Sequence, residues 1–349
     1  MYSRREVDMK QHEREYFVSK IRSGKYYIKY KDIKLTVLTP TVDDLYFIEE
    51  KCYDTYNECL FDGIKTDEQV EEWMIQKNLW SLEKDQKIEG IKKDIEKVKV
   101  QMYENRFNLD LVANGKSVLR TGEKQLRDLT GQKAKFFRNS CEGVALGARV
   151  GEYMKRCTFF GSELYDFSTA PIEVLSNLYY SMLIKDSDCR ELARTDPWRS
   201  VWLMKDQVKL FSNNERELSH DQKNILVWSS MYDNIQESMD CPTEDVINDD
   251  DLLDGWFIVQ KRKRDEEKAK SEVDNMSPNT SRHQELFLPA RNKKQAENIN
   301  NMNSIGGRVI KKQRERVIKN KGRASQLDFK DEKIKLTNQA NEATRSRRR

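Results

Sequence analysis

Gly115-Lys116-Ser117 is the segment that comes nearest to a phosphate-binding motif, because it matches the end of a Walker A loop. That loop also needs a glycine five residues earlier, and the chain has Asp110 there. Without the glycine-rich turn, the backbone amides cannot surround a phosphate. The Asn114-Gly115 pair is better explained as a turn between two helices.

The acidic run Asp249–Asp251, followed by Asp254 and Gly255, has the composition of a calcium-binding loop. An EF-hand places acidic ligands at positions 1, 3 and 5 and glycine at position 6. Starting at Asp250 puts Leu252 at position 3, so the spacing does not fit. Bound Mg²⁺ or Ca²⁺ is the alternative, but a helix cap, or neutralisation by the adjacent basic residues, explains the run better.

Histidines and cysteines are too scattered to form a catalytic or metal-binding set. The chain has three histidines without an HxH or HxxxH pair and six cysteines without a CxxC pair. This pattern argues against a zinc site, a disulfide framework or a nucleophile–base pair. We therefore predict a non-enzymatic protein with reduced thiols, no cofactor and no metal site.

Charge is distributed unevenly along the chain. Residues 261–349 contain 25 basic and 12 acidic residues, whereas residues 1–260 contain 38 basic and 47 acidic ones. A basic tail of this kind binds nucleic acid, an acidic partner or its own acidic body, or it remains a solvated disordered segment. No stretch approaches the roughly 18 apolar residues of a membrane span, so we expect no membrane association.

The spacing of apolar residues predicts a mainly α protein: a helical body with a small N-terminal β-hairpin and an extended basic C-terminal arm. We divide it into a hairpin-plus-helix region at 1–65, a helical hairpin region at 66–160, a Trp-rich helical region at 161–260 and a basic extended arm at 261–349. Alternation over Lys25–Leu38 predicts the β-hairpin, with its turn at Lys31-Asp32. Thr39–Asp44 starts the next helix and Asp62-Gly63 ends it.

The region 66–160 begins with a capping box at Thr66–Gln69. Apolar residues then recur at steps of three and four between Ile88 and Val112, which is the spacing of a coiled-coil seam. With a turn at Asn114-Gly115, this predicts an antiparallel helical hairpin; an intermolecular coiled coil is the alternative. Cys157–Phe167 is predicted to be a loop.

Four of the six tryptophans lie between residues 194 and 264. Asp196-Pro197, Ser219 and Asp249–Asp251 each predict a helix start in this segment. Large aromatics at helical spacing are typical of a core, and a partner surface is the alternative. The candidate docking residues of the segment are Trp198, Trp202 and Trp256.

The basic arm supplies the other candidate partner-binding residues. Its first four residues are all cations, a short apolar group follows, and the sequence RVIK occurs twice. Lys/Arg-rich sequence with few aromatics suits contact with phosphates or with an acidic protein, not base stacking. The candidates are Lys261, Arg262, Lys263, Arg264, Leu286, Phe287, Leu288, Arg308, Lys311, Arg316 and Lys319.

Two segments resemble proteins of large contractile-tailed bacteriophages. GKYYIKYKDIKLTVL followed by TPTVDD is similar to the opening of tail and baseplate assembly chaperones. ARTDPWRSVW with the later stretch LSHDQKNILVWSSMYDNIQESMDCPTEDVINDDDLLDGWFIVQKRKR resembles a segment of their structural or assembly proteins. The length and the basic tail depart from the small chaperones.

The resemblance implies a non-enzymatic assembly chaperone or minor structural protein of the tail or baseplate. Its partners would be other tail or baseplate proteins, and its location the host cytoplasm during assembly or the virion. The alternative is a nucleic-acid-binding accessory or scaffold protein that acts through residues 261–349.

Overall fold

The structure, a computed structural model, describes residues 9–168, 170–213 and 215–276. These residues form a mainly α fold with a small antiparallel β-hairpin near the N-terminus, as the sequence predicts. The elements are α1 Gln11–Ser23, β1 Tyr26–Tyr30, β2 Ile33–Val37, α2 Val42–Phe61, α3 Asp67–Gln76, α4 Leu82–Glu104, α5 Leu109–Phe137, α6 Cys141–Cys157, β3 Thr158–Phe160, β4 Glu163–Leu164, α7 Ile172–Ser181, α8 Asp186–Arg194, α9 Trp198–Leu203, α10 His220–Glu237, α11 Glu244–Ile247 and α12 Asp250–Met276.

The chain divides into two compact units, Met1–Phe257 and Ile258–Arg349, and the boundary falls inside α12. No helix among the described residues is long and apolar enough to cross a membrane.

The N-terminal hairpin forms as predicted. Strands β1 and β2 pair antiparallel with Tyr26 opposite Val37, and Lys31 in the turn has a positive φ of 51°. Ile28 and Leu35 lie opposite each other on the buried face. An isolated hairpin is marginal in water, and this one is stabilised by packing against α6 and α7.

The predicted loop at Cys157–Phe167 is wrong, because two short strands lie there. β3 pairs with β2, with Thr36 opposite Phe159, and β4 pairs with β3, which gives a four-stranded antiparallel sheet in the order β1-β2-β3-β4. Strands of two or three residues are too short to show an alternation in the sequence. Their pairing partner is also remote in the chain, so no local pattern indicates it.

Helix α2 lies antiparallel on α6. The amide of Cys141 donates to the carbonyl of Lys65 at 3.0 Å at one end, and the amide of Leu38 donates to the carbonyl of Cys157 at 2.8 Å at the other. Ile48 and Cys59 are the buried residues of α2. One face of α2 is thus committed to α6.

Helices α4 and α5 form the predicted antiparallel hairpin, but the turn is at residues 105–108 and not at Asn114-Gly115. Asn108 caps α5 by accepting a hydrogen bond from the amide of Leu111 at 3.2 Å. Gly115 lies inside α5, where an added Cβ would be 2.5 Å from Cγ of Met102. Glycine at this position lets α4 and α5 approach each other closely. Glycine is also typical of turns, which is why the sequence predicts a turn here.

Three apolar clusters stabilise the first unit. The largest joins α1 and the α4–α5 hairpin to α8, α9, α10 and α12, and it contains the tryptophans of the Trp-rich region. The second lies between the sheet and α6–α7. The third packs α3 and the N-terminal half of α4 against the C-terminal half of α5.

The predicted extended arm is wrong over residues 261–276. Residues 261–276 continue α12 as helix, because this stretch is rich in Lys, Arg and Glu, which are good helix formers. The rest of the predicted arm, which includes Leu286, Phe287, Leu288, Arg308, Lys311, Arg316 and Lys319, lies outside the described residues.

Candidate docking surface

The tryptophans predicted as docking residues are buried. Trp198 is 0%, Trp202 6% and Trp256 5% exposed, and all three belong to the largest apolar cluster. The rings of Trp198 and Trp202 stack with their centroids 6.5 Å apart. The prediction of a core is confirmed, and the assignment of these three indoles to a partner surface is wrong, because the chain itself covers them.

Each of these three indole N–H groups has an acceptor within the same unit. Trp198 donates to Oγ of Ser229 at 2.8 Å, Trp202 to Oδ2 of Asp233 at 2.7 Å and Trp256 to the carbonyl of Asp240 at 3.3 Å. Buried polar groups are costly unless they are hydrogen-bonded, so these partners are what permits the burial.

A charged cavity of about 780 Å³ lies beside α8, the start of α12 and the α4–α5 hairpin. Lys99 Nζ lies 2.6 Å from Asp254 Oδ2, and Lys116 Nζ lies 2.6 Å from Asp249 Oδ2. Arg190 and Arg194 pair with Asp254 and Asp250 at 2.8 and 2.7 Å. The acids of this run are neutralised by α4, α5 and α8 and not by the adjacent basic residues.

The two sequence candidates for chemistry therefore bind each other. Lys116, from the incomplete phosphate motif, contacts Asp249, from the incomplete calcium motif. Asp249 also caps α12, since its Oδ1 accepts hydrogen bonds from the amides of Asp251 and Leu252, as the helix-cap interpretation predicts. Among the described residues, no group of three or more His, Cys, Asp or Glu is arranged to hold a metal ion.

Asp251 is the acid of this cavity with a raised pKa. Burial raises the pKa of its carboxyl, the nearby Asp249 carboxylate raises it further, and Lys116 and Lys99 oppose the shift. The ion pairs that line the cavity join α4, α5 and α8 to the start of α12.

Of the predicted basic residues, four lie in the described part of the chain. Lys261, Arg262, Lys263 and Arg264 are all exposed on α12. Four consecutive helical positions point in different directions, so they distribute positive charge around the helix and do not form one stripe.

Helix α2 carries a second apolar face, opposite the one that contacts α6. We call this surface the outer face of α2: Val42, Tyr46, Tyr53 and Leu60, which are 73, 66, 69 and 43% exposed. Their steps of four, seven and seven residues place them along one side of the helix. A helix that buries one face inside the fold and leaves a second apolar face in water can bind another partner on that second face.

An acidic row borders the outer face of α2. Asp43, Glu50 and Asp54 lie about 60–120° around the helix from the stripe, and none of them makes an ion pair with a described residue. In contrast, Glu49 pairs with Arg149 and Asp44 with Arg156, both from α6. The negative charge beside the outer face is therefore left without a counter-charge from the described residues.

The turn of the α4–α5 hairpin is a second apolar surface. Phe107, Leu109 and Leu111 are all exposed there, and the Arg106 guanidinium lies 4.6 Å from the centre of the Phe107 ring. Both apolar surfaces were missed at the level of sequence. The signal available in the sequence of α2 was that its apolar residues fall into two stripes, an inner one with Ile48 and Cys59 and the outer face.

Comparison of the chain with protein-family models, curated proteins and solved structures finds no match in any of the three.

Proposed function

We propose that this protein acts without catalysis, by docking onto other proteins during tail or baseplate assembly in a contractile-tailed bacteriophage. The observation that supports docking is the placement of large apolar side chains in water on two helical surfaces, the outer face of α2 and the hairpin turn. Exposed apolar groups in clusters are typical of interaction sites. The phage assignment is supported by the sequence resemblance alone.

Affinity purification of the tagged full chain from phage-infected cells tests this proposal. We expect tail or baseplate proteins to be enriched over a purification from the same cells expressing an unrelated tagged protein. Enrichment of host proteins alone, or of none, would contradict the proposal. Mass spectrometry of purified virions then separates the two roles: an assembly factor is absent from virions, whereas a minor component is present.

A second candidate is a nucleic-acid-binding accessory or scaffold protein. The observation that favours it is the exposure of all four cations at Lys261–Arg264. Each cation that contacts a phosphate contributes about −0.9 to the slope of log affinity against log salt for duplex DNA.

The full-length quadruple variant K261Q/R262Q/K263Q/R264Q tests the second candidate. If these cations contact phosphates, the variant loses DNA affinity at low salt and its salt slope becomes shallower by up to about 4. A matched quadruple variant at exposed lysines of α4 (K87Q/K92Q/K93Q/K97Q) controls for the loss of net charge. Equal DNA retention by the two quadruple variants would rule out this site.

A further inference from the structure

The outer face of α2 is suited to one class of partner. We propose that it binds an amphipathic helix whose apolar residues recur in heptads and whose flanks carry lysine or arginine. This inference rests on the proposed docking function and names the chemistry of the partner.

The spacing of the outer face specifies a helical partner. Val42, Tyr46, Tyr53 and Leu60 are separated by four, seven and seven residues, a spacing that keeps one seam facing a neighbouring helix. From Val42 to Leu60 the seam is about 27 Å long, at a rise of 1.5 Å per residue. A partner helix of about three heptads matches that length.

The residue types of the outer face suit an interface. Two of the four side chains are tyrosines, which are enriched at protein interfaces because they combine a large apolar ring with a polar tip. Neither the Tyr46 nor the Tyr53 hydroxyl makes a hydrogen bond with a described residue, so both hydroxyls can bond to a partner.

Charge determines which helix fits. Helix α2 contains six acidic residues and one basic residue, Lys51. Asp43, Glu50 and Asp54 border the seam on one side, at steps of seven and four residues. In a two-helix contact these are flanking positions, where opposite charges on the partner set its identity and orientation. Lysine or arginine at the facing positions of the partner would neutralise this row.

The same charges argue against three other occupants. A second copy of α2 would bring two acidic rows together, and like charges across an interface cost several kcal/mol. Nucleic acid and an anionic membrane surface present phosphates, which the carboxylates would also repel. A basic amphipathic helix is the occupant that satisfies both the apolar seam and the acidic row.

Two designed peptides of about three heptads test the proposal directly. Both carry leucine at the seam and are held helical by a lactam bridge on the far side; one has lysine and the other glutamate at the flanks. Fluorescence anisotropy measures their binding to the full chain. We expect the lysine peptide to bind at least a hundredfold more tightly than the glutamate peptide, and more weakly as salt rises.

Four variants of the full chain locate the binding. Y46A/Y53A removes the centre of the seam and should lower the affinity for the lysine peptide at least tenfold. Y27A, which truncates an exposed tyrosine of β1, is the matched control and should bind as the parent does. E50Q/D54Q should weaken binding about tenfold, whereas E83Q/E96Q, which removes two exposed acids of α4, should not. Circular dichroism verifies that all four variants remain folded.

Each outcome decides the proposal. Equal binding of the two peptides, or an unchanged affinity in Y46A/Y53A, overturns it, as does the absence of binding to the lysine peptide. The docking function has a separate readout. If tail proteins co-purify equally with the parent and with Y46A/Y53A, the function stands and this site fails. If the peptide binds at α2 but no tail protein co-purifies, the site stands and the phage assignment fails.

Discussion

The Trp-rich region and α2 both place aromatic residues at helical spacing, but the first buries them and the second exposes them. Trp198 and Trp202 lie in the largest apolar cluster, whereas Tyr46 and Tyr53 point into water. The two regions differ in whether the polar groups beside the aromatic rings have partners within the chain. The indoles of Trp198 and Trp202 each find an acceptor within their own unit. Asp43, Glu50 and Asp54, which border the outer face of α2, make no ion pair with a described residue. Aromatic spacing indicates a packing surface, and the surrounding polar groups indicate whether the chain itself supplies the partner.

The largest effect should come from Trp198→Ala. This substitution leaves a cavity in the core and removes the indole N–H that donates to Ser229. We therefore expect the free energy of unfolding to fall by about 3–5 kcal/mol. Tyr53→Ala, on the outer face of α2, should change it by less than about 0.5 kcal/mol. Urea denaturation of both variants measures the contrast, and equal losses would show that α2 is as integral to the fold as the core.

A smaller loss is expected from Gly255→Ala. An added Cβ at residue 255 would lie 2.3 Å from the carbonyl oxygen of Lys99, so α12 must move away from α4. We expect this shift to lower the free energy of unfolding by about 1–3 kcal/mol. Gly90→Ala is the matched control within α4, where nothing lies within 4 Å of the new Cβ. There alanine should stabilise the protein by about 0.5–1 kcal/mol. Thermal unfolding reports both shifts, and the same sign at the two positions would contradict the close α4–α12 contact.

Ser219→Ala should destabilise the protein by about 1 kcal/mol. Ser219 is buried and caps α10: its Oγ accepts from the Gln222 amide at 3.2 Å, and Gln222 Oε1 accepts from the Ser219 amide at 2.8 Å. Ser81 precedes α4 and makes no side-chain cap hydrogen bond, so Ser81→Ala should be nearly neutral. Denaturation midpoints compare the two serines, and a larger loss at Ser81 would refute this assignment of caps.

The smallest effect on stability should follow alkylation of Cys241, which is exposed. Cys189 is buried, and burial raises the pKa of its thiol to about 12, so almost no reactive thiolate forms at pH 8. With iodoacetamide at pH 8, peptide mapping should find Cys241 labelled and Cys189 unlabelled, with an unchanged free energy of unfolding. Labelling of Cys189 at a similar rate would mean that the core around it opens readily.

Elements with local signals were predicted correctly from the sequence. The hairpin over Lys25–Leu38, the capping box at Thr66 and the helix start at Ser219 depend on residues at most a few positions apart. Alternation, caps and turns act over that range, so a single sequence contains the information.

Features that depend on remote contacts were not predictable in the same way. β3 forms by pairing with residues 36 and 37, which are remote in the chain. Gly115 packs against Met102 inside a helix, although glycine as a residue type favours a turn. The pairing of Lys116 with Asp249 joins two segments that each resembled half of a ligand site. The outer face of α2 was visible as a pattern, but only the fold shows which of its two apolar stripes α6 covers.

The way the N-terminal segment is packed has a consequence for synthesis on the ribosome. Val18 and Ile21 of α1 belong to the same cluster as Leu253 and Trp256, and β2 pairs with a strand about 120 residues later. At about 5–20 residues per second, the last of these partners emerges some 10–50 s after α1. Until residue 160 has emerged the edge of β2 is unpaired, and until α12 has emerged the apolar cluster around α1 is incomplete. Nascent chains of this protein should therefore depend on holding factors at the ribosome exit until residues near 257 have been translated.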